Sequence, residues 1–430
     1  MKLSQLKLLI PLLAILISGC TSLGKGMAQA FLEKEEAKDT RACQIRGESF
    51  PGLEPFVDNE EVTTKVLMVH GVGDRGPGYS TQLMEELAKE LDLNFIGKRT
   101  KNLSLTNPMD ISKKLGNLRI NQLLNEDQTR ELLFYELTWS EITADDKQIL
   151  AYDNSGEQTF RRADINKIMK SFSNDTGPDP MIYLGNSRED ILVSFAQSFC
   201  WMMSYDWDSL PLKSNQFCLP DSEETIVNLK KDHFALITHS LGSRITIDGL
   251  QRLAEMLADL DSHIAKMDNS VKNKLKKNMG FVEVLRNLKI PIYMLSNQLP
   301  MLQLGRTLPE ITGRTEAYCS AKGEHYQERM VSQTNIIAFS DPNDLLSYSL
   351  PLDFAEKYLD SRLCVDITNI NINIARVIDA FGLGTFANPM VAHIGYDTDE
   401  RVVALIAKGV GNSNTAPIVT KRCTSLVTVE

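Results

Sequence analysis

Ser240 is the residue of this sequence whose surroundings best suit nucleophilic chemistry. The apolar run 234–237 precedes it, and an apolar pattern typical of a helix follows over residues 245–257. A serine at such a strand-to-helix turn presents its hydroxyl at the helix N-terminus, where free backbone N–H groups favour negative charge. Because a serine hydroxyl is a weak nucleophile alone, it also needs a base and donors for an oxyanion.

A carboxylate and an imidazole follow later in the chain, each after a predicted strand. Asp344 comes just past the apolar run 335–339, and His393 lies between the last predicted strand and a predicted helix. Acids that follow a strand lie at the carboxyl edge of an open α/β sheet, where such sheets place their sites. We therefore predict Ser240 as nucleophile, His393 as base and Asp344 as acid, with Asp341 as the alternative acid.

The elements that would position these residues alternate between strands and helices. This alternation predicts an α/β fold with a mostly parallel central sheet flanked by helices. Residues 140–230 form a longer stretch than one crossover needs, so we predict a helical, cap-like insertion there. Its apolar stripe between Ile191 and Met203 indicates either a core helix or a lid over the serine.

A glycine-rich loop follows the first clear strand, which covers residues 65–69. The loop reads His70-Gly71-Val72-Gly73, and its glycines permit backbone conformations that side chains would forbid. We expect His70 to brace this loop by hydrogen bonding. His239 stands beside the nucleophile in sequence, so its side chain should point away from Ser240 and pack structurally.

Together these motifs resemble the α/β-hydrolase superfamily, in its lipase and esterase branch, over roughly residues 62–410. The resemblance implies a Ser240–His393–Asp344 triad that needs no metal and no cofactor. It also implies that the backbone N–H groups of Leu241 and Val72 bind the oxyanion. Thr238 departs from the family motif Gly-x-Ser-x-Gly at its first glycine, which puts the local geometry in question.

The N-terminus carries a targeting signal. Basic residues, an apolar run and the ending Ile17-Ser18-Gly19-Cys20 resemble the signal of a bacterial lipoprotein that is lipidated on Cys20. We therefore divide the chain into a signal peptide (1–19), a tether (20–60), a hydrolase domain (61–410) and a C-terminal tail (411–430). The location implied is the cell envelope, as a lipid-anchored membrane protein, with the outer membrane favoured.

Composition narrows the choice of partners. The net charge of −10 argues against nucleic acid as the main partner. The cysteines other than Cys20 number six, which permits three disulfides in an oxidising compartment without indicating the pairs. Their spacing matches no zinc site. The lysines between residues 266 and 277 indicate a solvated helix face or, alternatively, contact with anionic lipid.

These patterns favour a membrane-anchored enzyme that hydrolyses carboxylic esters, and the expected substrates are acyl esters, lipid esters included. Two alternatives stay open at this point. The same triad could serve an acyltransferase or a thioesterase. A catalytically inactive hydrolase fold could instead bind a partner in the cell envelope.

Overall fold

The computed structural model describes residues 41–152, 162–214, 217–218, 223–265, 280–379 and 385–426. The predicted signal peptide, the lipidation site Cys20 and the lysine-rich segment 266–277 lie outside these residues. Cys43–Glu430 forms one compact unit. No helix in the described ranges combines the length and the apolar character that crossing a bilayer requires.

Strands make up the centre of this unit. The strands of the described residues are β1 (Cys43–Arg46), β2 (Thr63–Val69), β3 (Asn94–Asn107), β4 (Asp110–Leu124), β5 (Glu131–Thr138), β6 (Lys213–Ser214), β7 (His233–His239), β8 (Lys289–Leu295), β9 (Gln333–Ser340), β10 (Val365–Ile372), β11 (Val377–Asp379), β12 (Thr385–Ala387) and β13 (Cys423–Leu426). Eleven of these described strands form one sheet in the order β13-β1-β10-β9-β8-β7-β2-β5-β4-β3-β6, and β11 pairs with β12.

The middle of the sheet, from β10 through β9, β8, β7 and β2 to β5, is parallel throughout. Antiparallel pairs flank it, β4 with β5 on one side and β1 with β10 on the other. Alternate residues of β2 face two separate apolar layers: Leu67 and Val69 face one, Val66 and Met68 the other. The predicted mostly parallel α/β architecture is therefore confirmed.

Helices cover both faces. The α-helices of the described residues are α1 (Glu54–Val57), α2 (Thr81–Glu90), α3 (Ala144–Ala151), α4 (Asp164–Thr176), α5 (Pro178–Tyr183), α6 (Arg188–Ser204), α7 (Glu223–Lys231), α8 (Leu241–Ala265), α9 (Gly280–Leu285), α10 (Leu299–Gln303), α11 (Thr315–Cys319), α12 (Phe354–Tyr358), α13 (Pro389–Ile394), α14 (Glu400–Lys408) and α15 (Pro417–Arg422). α6 and α8 pack on one face, whereas α2 and α14 pack on the other.

The apolar stripe of the predicted insertion belongs to the core. α6 packs against α8 and against β2, β3, β4 and β5, with Ile191, Phe195 and Met202 fully buried. A Cβ atom added to Gly249 of α8 would lie 2.2 Å from the Phe195 ring, so the two helices are in close contact. Of the two interpretations of this stripe, the structure supports the core helix.

The compact unit reaches beyond both boundaries that we predict from sequence. Residues 20–60 are predicted as a tether, yet β1 joins the sheet beside β10, and Leu53 of the same stretch is completely buried. Residues 411–430 are predicted as a tail, yet β13 pairs with β1. Strands of four residues carry too little periodic pattern to be recognised, and the pairing of β1 and β13 depends on contacts between distant parts of the chain.

Three disulfides join the six cysteines of the described residues, as Cys43–Cys423, Cys200–Cys218 and Cys319–Cys364. Cys43 and Cys423 lie directly opposite each other in the β1–β13 pair. Because this bridge closes a separation of 380 residues, it restricts the unfolded chain more than the other two.

Candidate active site

Ser240 occupies a strained turn between β7 and α8. Its φ of 55° lies in the left-handed region, which costs a non-glycine residue on the order of 1 kcal/mol or more. Gly242 makes the turn possible, because a Cβ atom there would lie 2.3 Å from the carbonyl oxygen of Val69. The sharp serine turn predicted from sequence is therefore present. Thr238, the departure from the motif, is buried beside it with its hydroxyl unpaired among the described residues.

The glycine-rich loop after β2 lies directly over this turn. A Cβ atom on Gly71 would approach the Cβ of Ser240 to 2.5 Å and its Oγ to 3.0 Å. Ser240 is 0% exposed, and its Oγ has no hydrogen-bond partner among the described residues. The hydroxyl is thus covered in this structure, and a substrate reaches it only if the covering residues move.

Asp344 and His393 are in direct contact. His393 Nδ1 lies 3.0 Å from both carboxylate oxygens of Asp344. Burial alone would raise the pKa of Asp344, but the hydrogen bonds from His393, Ser296 and the Leu346 N–H outweigh burial and lower it. The carboxylate therefore stays ionised at neutral pH and holds a proton on Nδ1, which leaves Nε2 of His393 free to act as a base.

Ser296 is a member of this group that the sequence analysis misses. Its Oγ lies 2.7 Å from Asp344 Oδ2 and 2.9 Å from His393 Nδ1. It follows the last residue of β8 with a φ of 50°, the same left-handed conformation as Ser240. A serine after an apolar strand was visible in the sequence, but nothing there indicated that β8 ends beside the acid and the imidazole.

We expect Ser296→Ala to lower kcat about tenfold with KM unchanged, since one hydrogen bond to a charged group is worth about 1.5–3 kcal/mol. The pKa of the Asp344 carboxyl should rise because one of the contacts that lowers it is lost, and carbon-13 NMR of the labelled carboxyl would measure this. Ser332→Ala is the control, because the Ser332 hydroxyl, just before β9, donates only to the main-chain carbonyls of Asn287 and Leu288. An unchanged carboxyl pKa and kcat would contradict the positioning role.

Asp341, the alternative acid, has a different environment. Its Oδ2 accepts the backbone N–H groups of Ile374 and Ala375 at 2.7 and 2.9 Å, and its Oδ1 accepts that of Asn343. These bonds hold the turn after β9 against the segment after β10. In this structure it is Asp344, and not Asp341, that is hydrogen-bonded to His393.

Ser240 and His393 are linked through His239 rather than by a direct hydrogen bond. The Nε2–H of His239 donates to the main-chain carbonyl of His393 at 2.8 Å, and the two imidazole rings lie 5.1 Å apart. Burial, and next the neighbouring His393, lower the pKa of His239 to about 3, so it is neutral. As expected from the sequence, His239 is structural. It fixes the backbone of the imidazole residue against the serine turn.

The two backbone N–H groups predicted to bind an oxyanion belong to Leu241, in the serine turn, and Val72, in the loop over it. Leu241 begins α8, where the first N–H groups have no partner within the helix. Neither its N–H nor that of Val72 makes a hydrogen bond among the described residues. His70 holds the loop, because its Nδ1 lies 2.7 Å from the Gly71 oxygen and its Nε2 accepts the Trp139 N–H at 3.2 Å.

Asp179 of α5 also holds this loop, and no sequence pattern points to it. Its fully buried carboxylate accepts the Gly73 N–H at 2.7 Å and the Thr143 hydroxyl at 2.9 Å. Lys147 Nζ, 2.8 Å away, balances its charge. The region predicted as an insertion thus holds Gly73, the residue next to Val72, in the loop over the serine turn.

Protonation of His70 would disrupt this arrangement. Burial lowers its pKa to about 3 from the ordinary 6.5, and the residue is 2% exposed. The unfolded chain therefore binds a proton near pH 6.5 that the folded chain does not. Stability due to this histidine is complete above pH 6.5 and falls as pH drops from 6.5 towards 3.

We expect the free energy of unfolding to fall by about 2 kcal/mol between pH 7.5 and pH 5 through His70 alone. Urea denaturation of the wild type and of His70→Gln at both pH values measures it. The variant should be less stable at pH 7.5 and should lose about 2 kcal/mol less on acidification. An equal loss in both proteins would contradict the assignment of a neutral, buried His70.

No cluster of histidine, cysteine, aspartate and glutamate side chains in the described parts of the chain could hold a metal ion. The site instead brings together an imidazole, a carboxylate and a supporting hydroxyl beside a strained serine turn. Comparison of the chain with family models, with curated proteins and with solved structures finds no match to any of them.

Proposed function

We propose that this chain is a serine hydrolase that cleaves carboxylic esters through an acyl-enzyme intermediate. The observation that carries the proposal is the pair of 3.0 Å contacts between His393 Nδ1 and Asp344, at the sheet edge where Ser240 forms its turn. A plain helix cap at Ser240 would require neither the strained φ nor the buried imidazole–carboxylate pair.

In the proposed reaction, Ser240 Oγ attacks the acyl carbonyl while His393 Nε2 takes the hydroxyl proton. The Leu241 and Val72 N–H groups stabilise the oxyanion, a contribution of about 3 kcal/mol per donor in comparable sites. His393 then protonates the leaving alcohol, and the acyl-enzyme remains. A water molecule, deprotonated by the same imidazole, attacks the acyl-enzyme and releases the acid, and the imidazolium returns its proton to Ser240 Oγ. Asp344 stabilises each imidazolium that forms.

The fold supports assignment to an α/β-hydrolase architecture. The serine, the acid and the histidine follow in that chain order. Ser240 comes directly after β7, Asp344 comes shortly after β9, and His393 lies on α13 with its imidazole against Asp344. We propose a lipid-anchored location in the cell envelope through Cys20. Three disulfides in the described residues support an oxidising compartment.

A fluorophosphonate probe tests the proposal, because it reacts with serines that a neighbouring base activates. The full chain should be labelled at Ser240, and Ser240→Ala should abolish labelling. Ser209→Ala is the matched control, because Ser209 only caps a turn at Asp206 and should leave labelling intact. Absence of labelling in the intact chain would remove the main support for a serine hydrolase.

A further inference from the structure

A second cluster of charged side chains lies on α8, two helical turns past the nucleophile. Asp248 is 2% exposed and is contacted by three arginines from different elements. Arg244 of α8 and Arg306 after α10 donate to its two oxygens, and Arg188 at the start of α6 lies 3.3 Å away. The Tyr183 hydroxyl of α5 donates to the same carboxylate at 2.6 Å.

The charges in this cluster do not balance. Three guanidinium groups share one buried carboxylate, and the other acid in contact, Glu189 beside Arg188, is 61% exposed and screened by water. Burial, and next the charge of Arg244, lower the pKa of Arg306, as expected for like charges held together. The Nε of Arg244 is buried and has no hydrogen-bond partner among the described residues. The cluster therefore holds an excess of positive charge.

Two of the arginines converge on one atom and are partly exposed: Arg306 and Arg188 both contact Asp248 Oδ2, at 2.5 and 3.3 Å. The side chains of Arg188 and Arg306 are 32% and 12% exposed, and both guanidiniums lie 6.0 Å from the centre of the Tyr183 ring. Their neighbours in sequence include exposed apolar residues, Leu184 at 62% and Leu304 at 80%. A pair of converging guanidinium forks, with exposed leucines close to each in sequence, suits an anion that carries a hydrocarbon part.

We propose that Arg188 and Arg306 form a binding site for a phosphate-type oxyanion, outside the catalytic group. Guanidinium forks bind phosphate oxygens in pairs of parallel hydrogen bonds, and a phosphate would offset the excess charge around Asp248. The shared chemistry is a phosphate group, which free inorganic phosphate and a phospholipid headgroup both offer. The apolar neighbours favour the headgroup.

The double variant Arg188→Gln/Arg306→Gln separates this proposal from a purely structural role. It leaves Asp248 paired with Arg244 alone, a balanced pair, so the protein should fold with little change in its melting temperature. If the arginines served only to tie α6 and the loop after α10 to α8, removing both should lower that temperature markedly. Arg252→Gln is the control, since Arg252 lies on the same helix in an exposed pair with Glu255.

Isothermal titration of the full chain with inorganic phosphate and with soluble dihexanoyl phosphatidate measures the site, and uncharged dihexanoylglycerol serves as the blank. The Ser240→Ala background prevents turnover and keeps the result independent of ester hydrolysis. We expect phosphatidate to bind about tenfold more tightly than phosphate, and the double variant to lose about tenfold or more in affinity for both. Equal affinity for the two ligands would identify free phosphate as the natural source.

Three outcomes would overturn the proposal: absence of binding by either anion, equal binding by the double variant, or equal binding of dihexanoylglycerol. If the double variant does not fold, the single variant Arg188→Gln carries the test, because Arg188 is the most exposed of the three arginines and its removal leaves two on the carboxylate. Loss of affinity in that variant supports the site, and unchanged affinity contradicts it.

Discussion

Replacing Ser240 with alanine will lower kcat for a carboxylic ester by about 10⁴-fold or more, because the attacking oxygen is removed. His393→Ala will cause a loss of similar size, and the double variant will be no slower than either single variant. This non-additivity is expected since a nucleophile and its base act as one unit. Steady-state hydrolysis of nitrophenyl esters of increasing acyl length measures all three proteins.

A control variant and the dependence of activity on acyl length, measured in the same assay, test the assignment of Ser240 as nucleophile and of lipid esters as substrates. Ser209→Ala should retain full activity, which excludes a general effect of removing a serine hydroxyl. A long-chain optimum in the wild type would favour lipid substrates, whereas a flat response would remove the lipase assignment. Full activity in Ser240→Ala would show that any hydrolysis observed does not use the turn between β7 and α8.

Asp344→Asn will lower kcat by about 10⁴-fold while the protein remains folded. An asparagine amide at this position can donate to His393 Nδ1, which favours the imidazole tautomer whose Nε2 carries the proton and cannot act as a base. Asp341→Asn will instead lower stability by about 1–3 kcal/mol, since its carboxylate accepts three backbone N–H groups. Its kcat per folded molecule should stay close to that of the wild type.

To compare kcat between these variants and the wild type, each rate is divided by the concentration of folded, reactive protein. Titration with a fluorophosphonate gives the reactive fraction of the wild type and of Asp341→Asn, and urea denaturation gives the stability of all three proteins. A larger loss of kcat in Asp341→Asn than in Asp344→Asn would reverse the assignment of the acid. It would also require the contact between His393 and Asp344 to be rearranged in the working enzyme.

The local sequence pattern was sufficient to predict the parallel strands and the serine turn. β2, β7, β8 and β9 are short apolar runs because both faces of each are covered, and such runs are recognisable without a partner. The turn at Ser240 is equally local, since a strand, a serine and a helix pattern follow one another within a few residues. Asp344 was identifiable because it follows β9, and the carboxyl ends of parallel strands meet at one edge. His393 instead lies within α13, after the small β11–β12 pair, so its contact with Asp344 does not follow from strand order.

The sequence analysis did not predict the β3–β4 hairpin or the short strands β1 and β13. β3 and β4 are long and largely polar outside their buried positions, so their alternation is weak, and β1 and β13 are defined only by partners hundreds of residues away. The pairing of the cysteines follows from the same distant contacts.

The sequence by itself determined the type of sheet, the candidate serine and imidazole, and two candidate acids, because strand periodicity and turn chemistry are local properties. Only the tertiary structure decided which acid contacts His393, that Ser296 joins them, and that Asp179 holds the loop beside the serine. These contacts join residues that are 49, 48, 97 and 106 positions apart. No local sequence pattern encodes contacts between residues so far apart, since these contacts depend on how whole strands and helices pack against one another.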